Sequence, residues 1–192
     1  MKRSEEYWAQ KAKKEGYRSR ASYKLLQLDE KYNLISKSSL IFDLGSAPGG
    51  WSQVIEKKIQ STAKCIAIDV LHMEKVRKVE FHQIDLFSRE FKEIIKANIR
   101  SVDLIVSDIS VNLSGIKLID DEKNHELNLF CINASKELLN PHGALLIKTF
   151  NNSKLKEIIG KFKSTFSTVY VEKPVASKTS SSEVYLLGLT PK

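Results

Sequence analysis

The sequence predicts an α/β fold: a seven-stranded, mostly parallel sheet with one antiparallel strand and helices on both faces. Apolar runs of strand length alternate with stretches of helical periodicity from residue 39 onward, the pattern of a parallel sheet covered by crossover helices. The last two strand candidates, 167–173 and 183–190, stand too close in sequence for a crossover helix, so they pair antiparallel. With 192 residues, 42% of them hydrophobic, the chain can bury one ample core, and residues 1–192 are expected to form one domain.

Residues 20–34 carry apolar positions at Leu25, Leu26, Leu28 and Tyr32, the spacing of a helix within a basic N-terminal extension, 1–37. Strand 39–44 contains Leu40, Ile41 and Phe42 and ends in Asp43-Leu44. A turn rich in glycine follows (Gly45, Gly49 and Gly50, with Pro48 among them), and Trp51 opens helix 50–60. Strands 64–69 and 78–84, helix 88–98 and strand 102–107 come next. A long helix, 122–140, is closed by Asn140-Pro141-His142-Gly143, which also opens strand 143–149. Helix 153–164 precedes the final strand pair, and the polar run 177–182 between its members reads as a loop.

The net charge of +8 is unevenly placed. Residues 1–24 and 148–192 each carry +5, leaving 25–147 at −2. If the two ends meet in space they form one positive face, suited to a phosphate-rich partner. Only two cysteines occur, Cys65 and Cys131, both in apolar settings, which fits a reducing compartment and argues against a disulfide framework. No apolar run is long enough to span a membrane and no secretory leader is visible, so no membrane partner is expected. The histidines (His72, His82, His125, His142) show no close ligand pairing, and no metal is expected.

Ligands of such sheets bind beyond the carboxyl ends of the strands. Three acids fall there: Asp43, Asp69 and Asp85. A carboxylate after the second strand suits the two hydroxyls of a ribose, and one after the third can accept a hydrogen bond from an adenine amino group. The turn at 45–50 departs from the dinucleotide pattern, because Pro48 occupies it, and it lacks the Gly-Lys-Ser/Thr of a phosphate loop. A cofactor without pyrophosphate, such as S-adenosylmethionine (SAM), fits better. Asp108 and Lys148 end the fourth and fifth strands, Glu183 starts the last, and Lys24 lies on the N-terminal helix. Lysine seldom borders a buried apolar run without a partner. A lysine that removes a proton must spend time neutral. A second amine or desolvation favours that state and a carboxylate opposes it. A Lys-Asp-Lys-Glu group can therefore tune one basic amine.

The segments YRSRASYKL (17–25), DLGSAPGGWSQ (43–53), SDISVNLSG (107–115), LLIKTF (145–150) and SEVYLL (182–187), in this order and at these separations, resemble the FtsJ-like (RrmJ/RlmE-type) ribosomal RNA 2′-O-methyltransferases over nearly the whole chain. The resemblance implies a Rossmann-like, SAM-dependent methyltransferase fold. It implies a catalytic tetrad at Lys24, Asp108, Lys148 and Glu183, with Lys24 supplied by the N-terminal extension. It places SAM contacts at Gly49, Trp51, Asp69, Asp85 and Asp108, beside the turn residues Asp43, Gly45, Pro48 and Gly50. Lys14, Arg18, Arg20 and Lys178 become candidates for RNA backbone contacts. Tyr185, on the strand face of Glu183, is a further RNA contact or a packed aromatic. The substrate implied is large-subunit rRNA, at a uridine, free or in the assembled subunit; the enzyme would act as a monomer, in the cytoplasm or in an organelle of a eukaryote. Departures fall at Val111, near His72, and at Lys178 with its Ser/Thr run, where the family carries Pro, Pro and Arg-rich residues. They touch the RNA-facing loop and leave the tetrad intact.

Other readings are a tRNA 2′-O-methyltransferase, a small-molecule methyltransferase, and a non-catalytic RNA-binding ribosome-assembly factor. A cytosine-C5 enzyme needs a cysteine nucleophile in the crevice, and neither cysteine ends the fourth or fifth strand. An adenine-N6 enzyme usually carries a Pro-Pro-aromatic turn where this chain has Asp-Ile-Ser-Val, 108–111.

Overall fold

The computed structural model describes residues 5–111, 114–177 and 180–192. Two helices, α1 (Glu5–Lys14) and α2 (Ser22–Tyr32), precede the sheet. Then come β1 (Leu40–Leu44), α3 (Gly50–Lys58), β2 (Lys64–Asp69), β3 (Val79–Gln83), α4 (Arg89–Ala97), β4 (Val102–Ser107), α5 (Lys117–Leu138), β5 (Leu139–Phe150), α6 (Leu155–Thr165), β6 (Phe166–Glu172) and β7 (Glu183–Pro191).

The seven strands lie in the order β3-β2-β1-β4-β5-β7-β6. Strands β1 to β5 pair parallel, and β7 runs antiparallel to both β5 and β6. This is the expected mostly parallel sheet with one antiparallel strand, inserted between β5 and β6. The order reverses at β1 and β4, so the crevice opens beyond the carboxyl ends of these two strands.

Alternation along the strands sorts the core into two layers. Phe42, Leu44, Ile105, Leu145, Ile147 and Leu186 face α4, α5 and α6, packing on Phe91, Ile132 and Phe162. Ile41, Leu104, Val106, Leu146, Tyr185 and Leu187 face the opposite way, onto Leu25 and Leu28 of α2 and Trp51, Val54 and Ile55 of α3. Helices thus cover both faces. A third, small cluster joins Trp8 and Ala12 of α1, Tyr23 of α2 and Ala176 from the β6–β7 connection.

Most element ends fall within two residues of the expected ones, and two starts lie further off. Helix α5 begins five residues before the expected 122, at Lys117. Its start carries no local signal, because Ile116 offers no side-chain cap. Asp120, one turn in, instead reaches back to the Ser114 backbone N–H (2.8 Å) and hydroxyl (2.7 Å). Strand β5 begins at Leu139 rather than 143. Leu139 pairs with Val102 and Ala144 with Leu104, so the residues between them bulge out of the ladder. Pro141, which lacks an N–H to give, falls in this interruption.

Candidate active site

Gly45, Asp69 and Asp108 stand at the carboxyl ends of β1, β2 and β4. They line a crevice of about 420 Å³ with Val70, Ile109 and Leu127. A slot of about 150 Å³ continues it past Asp69 to Asp85 and Phe87. The turn at 45–50 makes the floor. Gly45 has φ +73°, and a Cβ there would meet the Ile109 Cβ at 2.5 Å. Only glycine keeps this approach open. Gly49, at φ +105°, lies under Arg18, whose Nη1 would stand 2.6 Å from an added Cβ.

Asp69 accepts from the Ala47 N–H through Oδ2 and from the Leu71 N–H through Oδ1, both at 2.8 Å. The carboxylate is thereby locked, and each oxygen keeps a lone pair for a ligand hydroxyl. Asp85 is exposed at the far end and accepts from the Phe87 N–H at 2.8 Å. Val70 and Phe87, both 57% exposed, offer apolar surface along the slot. A carboxylate for vicinal hydroxyls beside an apolar slot for a flat ring is a nucleoside-shaped site. Asp43 is different. It is 1% exposed and accepts from Ser52 Oγ at 2.6 Å. Burial pushes its carboxyl up to about 7; the Ser52 hydroxyl works the other way, and the charges of Asp108 and Asp69 add to the rise. Asp43, Pro48, Gly50 and Trp51 line a smaller pocket of about 50 Å³, which also includes Gly45 and Asp108. The expected cofactor positions therefore gather around one trench, except Gly49, which lines none of these cavities and serves the backbone instead.

The four titratable tetrad positions converge beside it. Strand alternation puts Lys148, Glu183 and Tyr185 on the face covered by α2, and Lys148 is the cross-strand partner of Tyr185. Helix α2 lays Lys24 onto the same spot, 6% exposed, one residue before the buried Leu25. Lys24 Nζ lies 2.8 Å from Glu183 Oε1. Lys148 Nζ donates to the Asp108 carbonyl and lies 3.2 Å from Asp108 Oδ1. Tyr185 joins the pairs: its hydroxyl donates to Asp108 Oδ1 at 2.7 Å and stands 3.3 Å from Glu183 Oε1. Ser177 Oγ also donates to Glu183 Oε1, at 2.9 Å. Burial opposes the charge on Glu183, but the Lys24 ammonium, the hydrogen bonds and the more distant Lys148 hold its carboxyl below the usual range. Burial, then Asp108 and Glu183, push the Tyr185 phenol well above its ordinary value.

The RNA candidates fare unevenly. Lys14 is exposed at the end of α1. Arg20 lies 3.5 Å from Glu5. Arg18 spends its guanidinium on three backbone carbonyls, of Pro48 (3.1 Å), Glu74 (2.6 Å) and Lys75 (3.0 Å). It staples the N-terminal segment to the glycine turn. Lys178 lies outside the described residues. Tyr185 is 0% exposed, so an RNA contact is excluded for its side chain in this arrangement, and the packed alternative holds. Ser177, Ile109 and Leu127 escaped the sequence reading. Only Ile109 carried a signal, two residues past a strand end.

Cys65 and Cys131 are 1% and 0% exposed, and burial pushes the Cys131 thiol up to about 12. Neither can serve as a crevice nucleophile. Among the described residues no group of His, Cys, Asp and Glu is arranged to hold a metal ion.

The family model for FtsJ-like methyltransferases matches residues 17–190. The chain is 38% identical over 186 residues to the ribosomal RNA large subunit methyltransferase E of Nitrosospira multiformis, covering 96% of this chain and 90% of the relative. It is 40% identical over 184 residues to the protein of the same name from Methylobacillus flagellatus, covering 95% and 89%. Among solved structures, a ribosomal RNA methyltransferase from Plasmodium falciparum superposes with a TM-score of 0.77 at 30% identity, over 91% of this chain and 98% of that one.

Proposed function

The chain belongs to the FtsJ-like methyltransferase family, and from that premise we propose that it transfers a methyl group from SAM to a ribose 2′-hydroxyl of large-subunit ribosomal RNA. The observation that carries this is the convergence of Lys24–Glu183 (2.8 Å) and Lys148–Asp108 (3.2 Å) around one phenol, with Asp108 also lining the nucleoside-shaped crevice. The residues present fit SAM. Asp69 would hold the ribose, Asp85 with Val70, Phe87 and Ile109 the adenine, and the turn at 45–50 the methionine part. Bound there, SAM supplies an electrophilic methyl.

The rest is the work of this chain. Lys148 is the amine closest to the crevice acid Asp108; in its neutral form, reached by loss of its own proton before the 2′-hydroxyl enters, it takes that hydroxyl's proton as the oxygen attacks. Asp108 orients that amine through its carbonyl and carboxylate and stabilises the charge it gains. Lys24, held by Glu183, steadies the hydroxyl and the flanking phosphate. General-base assistance of this kind contributes about 10²–10⁴-fold, and alignment of the reactants supplies much of the remainder. Lys14, Arg20 and Lys178 are the candidates for RNA backbone contacts.

Within this reading the enzyme acts as a monomer, on free or assembled large-subunit RNA, in whichever compartment holds that RNA. Two free, buried cysteines suit a reducing one, cytoplasmic or organellar. Mapping 2′-O-methyl groups across rRNA and tRNA after deletion of the gene tests the substrate. Loss of one large-subunit rRNA site is expected; loss confined to tRNA would overturn the assignment.

A further inference from the structure

Resting on that reading, we propose that Tyr185 is a positioning residue for methyl transfer, its hydroxyl fixing the two carboxylates of the tetrad, and through them both lysines, in one register. The phenol oxygen stands 2.7 Å from Asp108 Oδ1 and 3.3 Å from Glu183 Oε1. Each of those oxygens also faces an amine: Lys148 Nζ at 3.2 Å and Lys24 Nζ at 2.8 Å. A single hydroxyl is therefore the link between two ion pairs that come from four different elements, α2, β5, β7 and the segment after β4.

The ring cannot drift. It is 0% exposed, it packs on Trp51 with ring centroids 5.9 Å apart, and the Lys24 ammonium lies 5.8 Å from its centroid. The phenol also remains a donor, because burial and its two acidic neighbours keep it protonated. Two carboxylates drawn toward one site repel each other, and the single phenol proton, given to Asp108 and lying toward Glu183, offsets part of that repulsion beside the two ammoniums. Without it the Asp108 carboxylate is held at Oδ1 by Lys148 alone, it can turn with that amine, and the amine loses its aim. A misplacement of about 1 Å in such a group costs about 10²-fold in rate.

The test is Tyr185→Phe, which removes one oxygen and leaves the packed ring. Single-turnover methyl transfer to large-subunit rRNA gives the rate, and calorimetric titration with SAM alone gives cofactor affinity. The expected result is a rate about 10- to 100-fold below wild type, with SAM affinity and KM for RNA within about twofold. A rate within twofold of wild type, or a loss carried by RNA affinity, overturns the proposal. The double variant Asp108→Asn/Tyr185→Phe guards against a general packing defect. If the phenol acts through Asp108, the second change adds little to the first; losses that multiply as independent factors overturn the proposal. An inactive wild type would overturn the methyl-transfer reading as well, whereas an active wild type with an unimpaired Tyr185→Phe overturns this proposal alone.

Discussion

Replacing Lys24 by methionine keeps an unbranched apolar stem of four heavy atoms and removes the ammonium from a nearly dry ion pair. The side chains of Lys24 and Glu183 are 7% and 13% exposed, with nitrogen and oxygen 2.8 Å apart. Deleting one partner of a buried pair costs about 3–5 kcal/mol, because the other charge is left behind. Glu183 keeps the Ser177 hydroxyl at 2.9 Å and the Tyr185 hydroxyl at 3.3 Å, which places the cost near the lower end, about 3 kcal/mol. For a chain of this size that corresponds to about 6–12 °C in Tm. The sign of the pH dependence follows from the lowered Glu183 carboxyl. Its stabilising contribution is fully present above the ordinary glutamate range, about 4.3, and fades as pH falls through the lower native value. The full cost of Lys24→Met therefore appears near neutral pH and shrinks in acid. Urea unfolding of wild type, Lys24→Met, Glu183→Gln and the double variant measures it. Glu183→Gln in the Lys24→Met background should recover much of the loss. A cost below about 1 kcal/mol at neutral pH, with no coupling in the cycle, would show that the pair behaves as a surface salt bridge.

Gly45→Ala forces a side chain into φ +73° and drives its Cβ to 2.5 Å from that of Ile109; SAM affinity by titration should fall at least about tenfold. Asp43→Asn should remove a pH slope. An acid raised to about 7 by burial keeps its proton in the native state after the unfolded chain has lost it, so wild-type stability falls as pH rises from about 4 to 7. That slope amounts to about 4 kcal/mol, and chemical unfolding of both proteins across the range reads it as a difference. Arg18→Met should weaken SAM binding several-fold in the absence of RNA, since Arg18 ties the carbonyls of Pro48, Glu74 and Lys75 together; unchanged SAM affinity would show that this staple does not shape the cofactor turn.

The strand assignments were legible because a parallel sheet buried on both faces writes itself as apolar runs, and β1, β2 and β4 are such runs. Each run ends where the polar residue begins, which is why Asp69 and Asp108 could be placed. The tetrad was legible through spacing and resemblance together, since a lysine next to Leu145–Ile147 needs a partner. The choice between an RNA contact and a packed aromatic at Tyr185 stayed open in the sequence because period-2 alternation gives the face of a residue and not its depth. Glu183 is at the strand mouth, while Tyr185, two residues further, lies under α2 and α3. The carbonyl staple made by Arg18 was not legible, because partners up to 57 positions away leave no trace in local sequence. Ser177 reaches Glu183 only because the connection before β7 docks on α1 and α2 through Ala176. No local pattern encodes that docking.

Proton removal by Lys148 is tested most directly by single-turnover transfer of labelled methyl from SAM to large-subunit rRNA by wild type and Lys148→Ala. Product is read as an alkali-resistant dinucleotide, because a methylated 2′-oxygen blocks alkaline cleavage. Wild type should place its label there, and Lys148→Ala should be slower by about 10²-fold or more while binding SAM as tightly as wild type. An equal rate in the variant, or label released by alkali as a methylated mononucleotide, would contradict it.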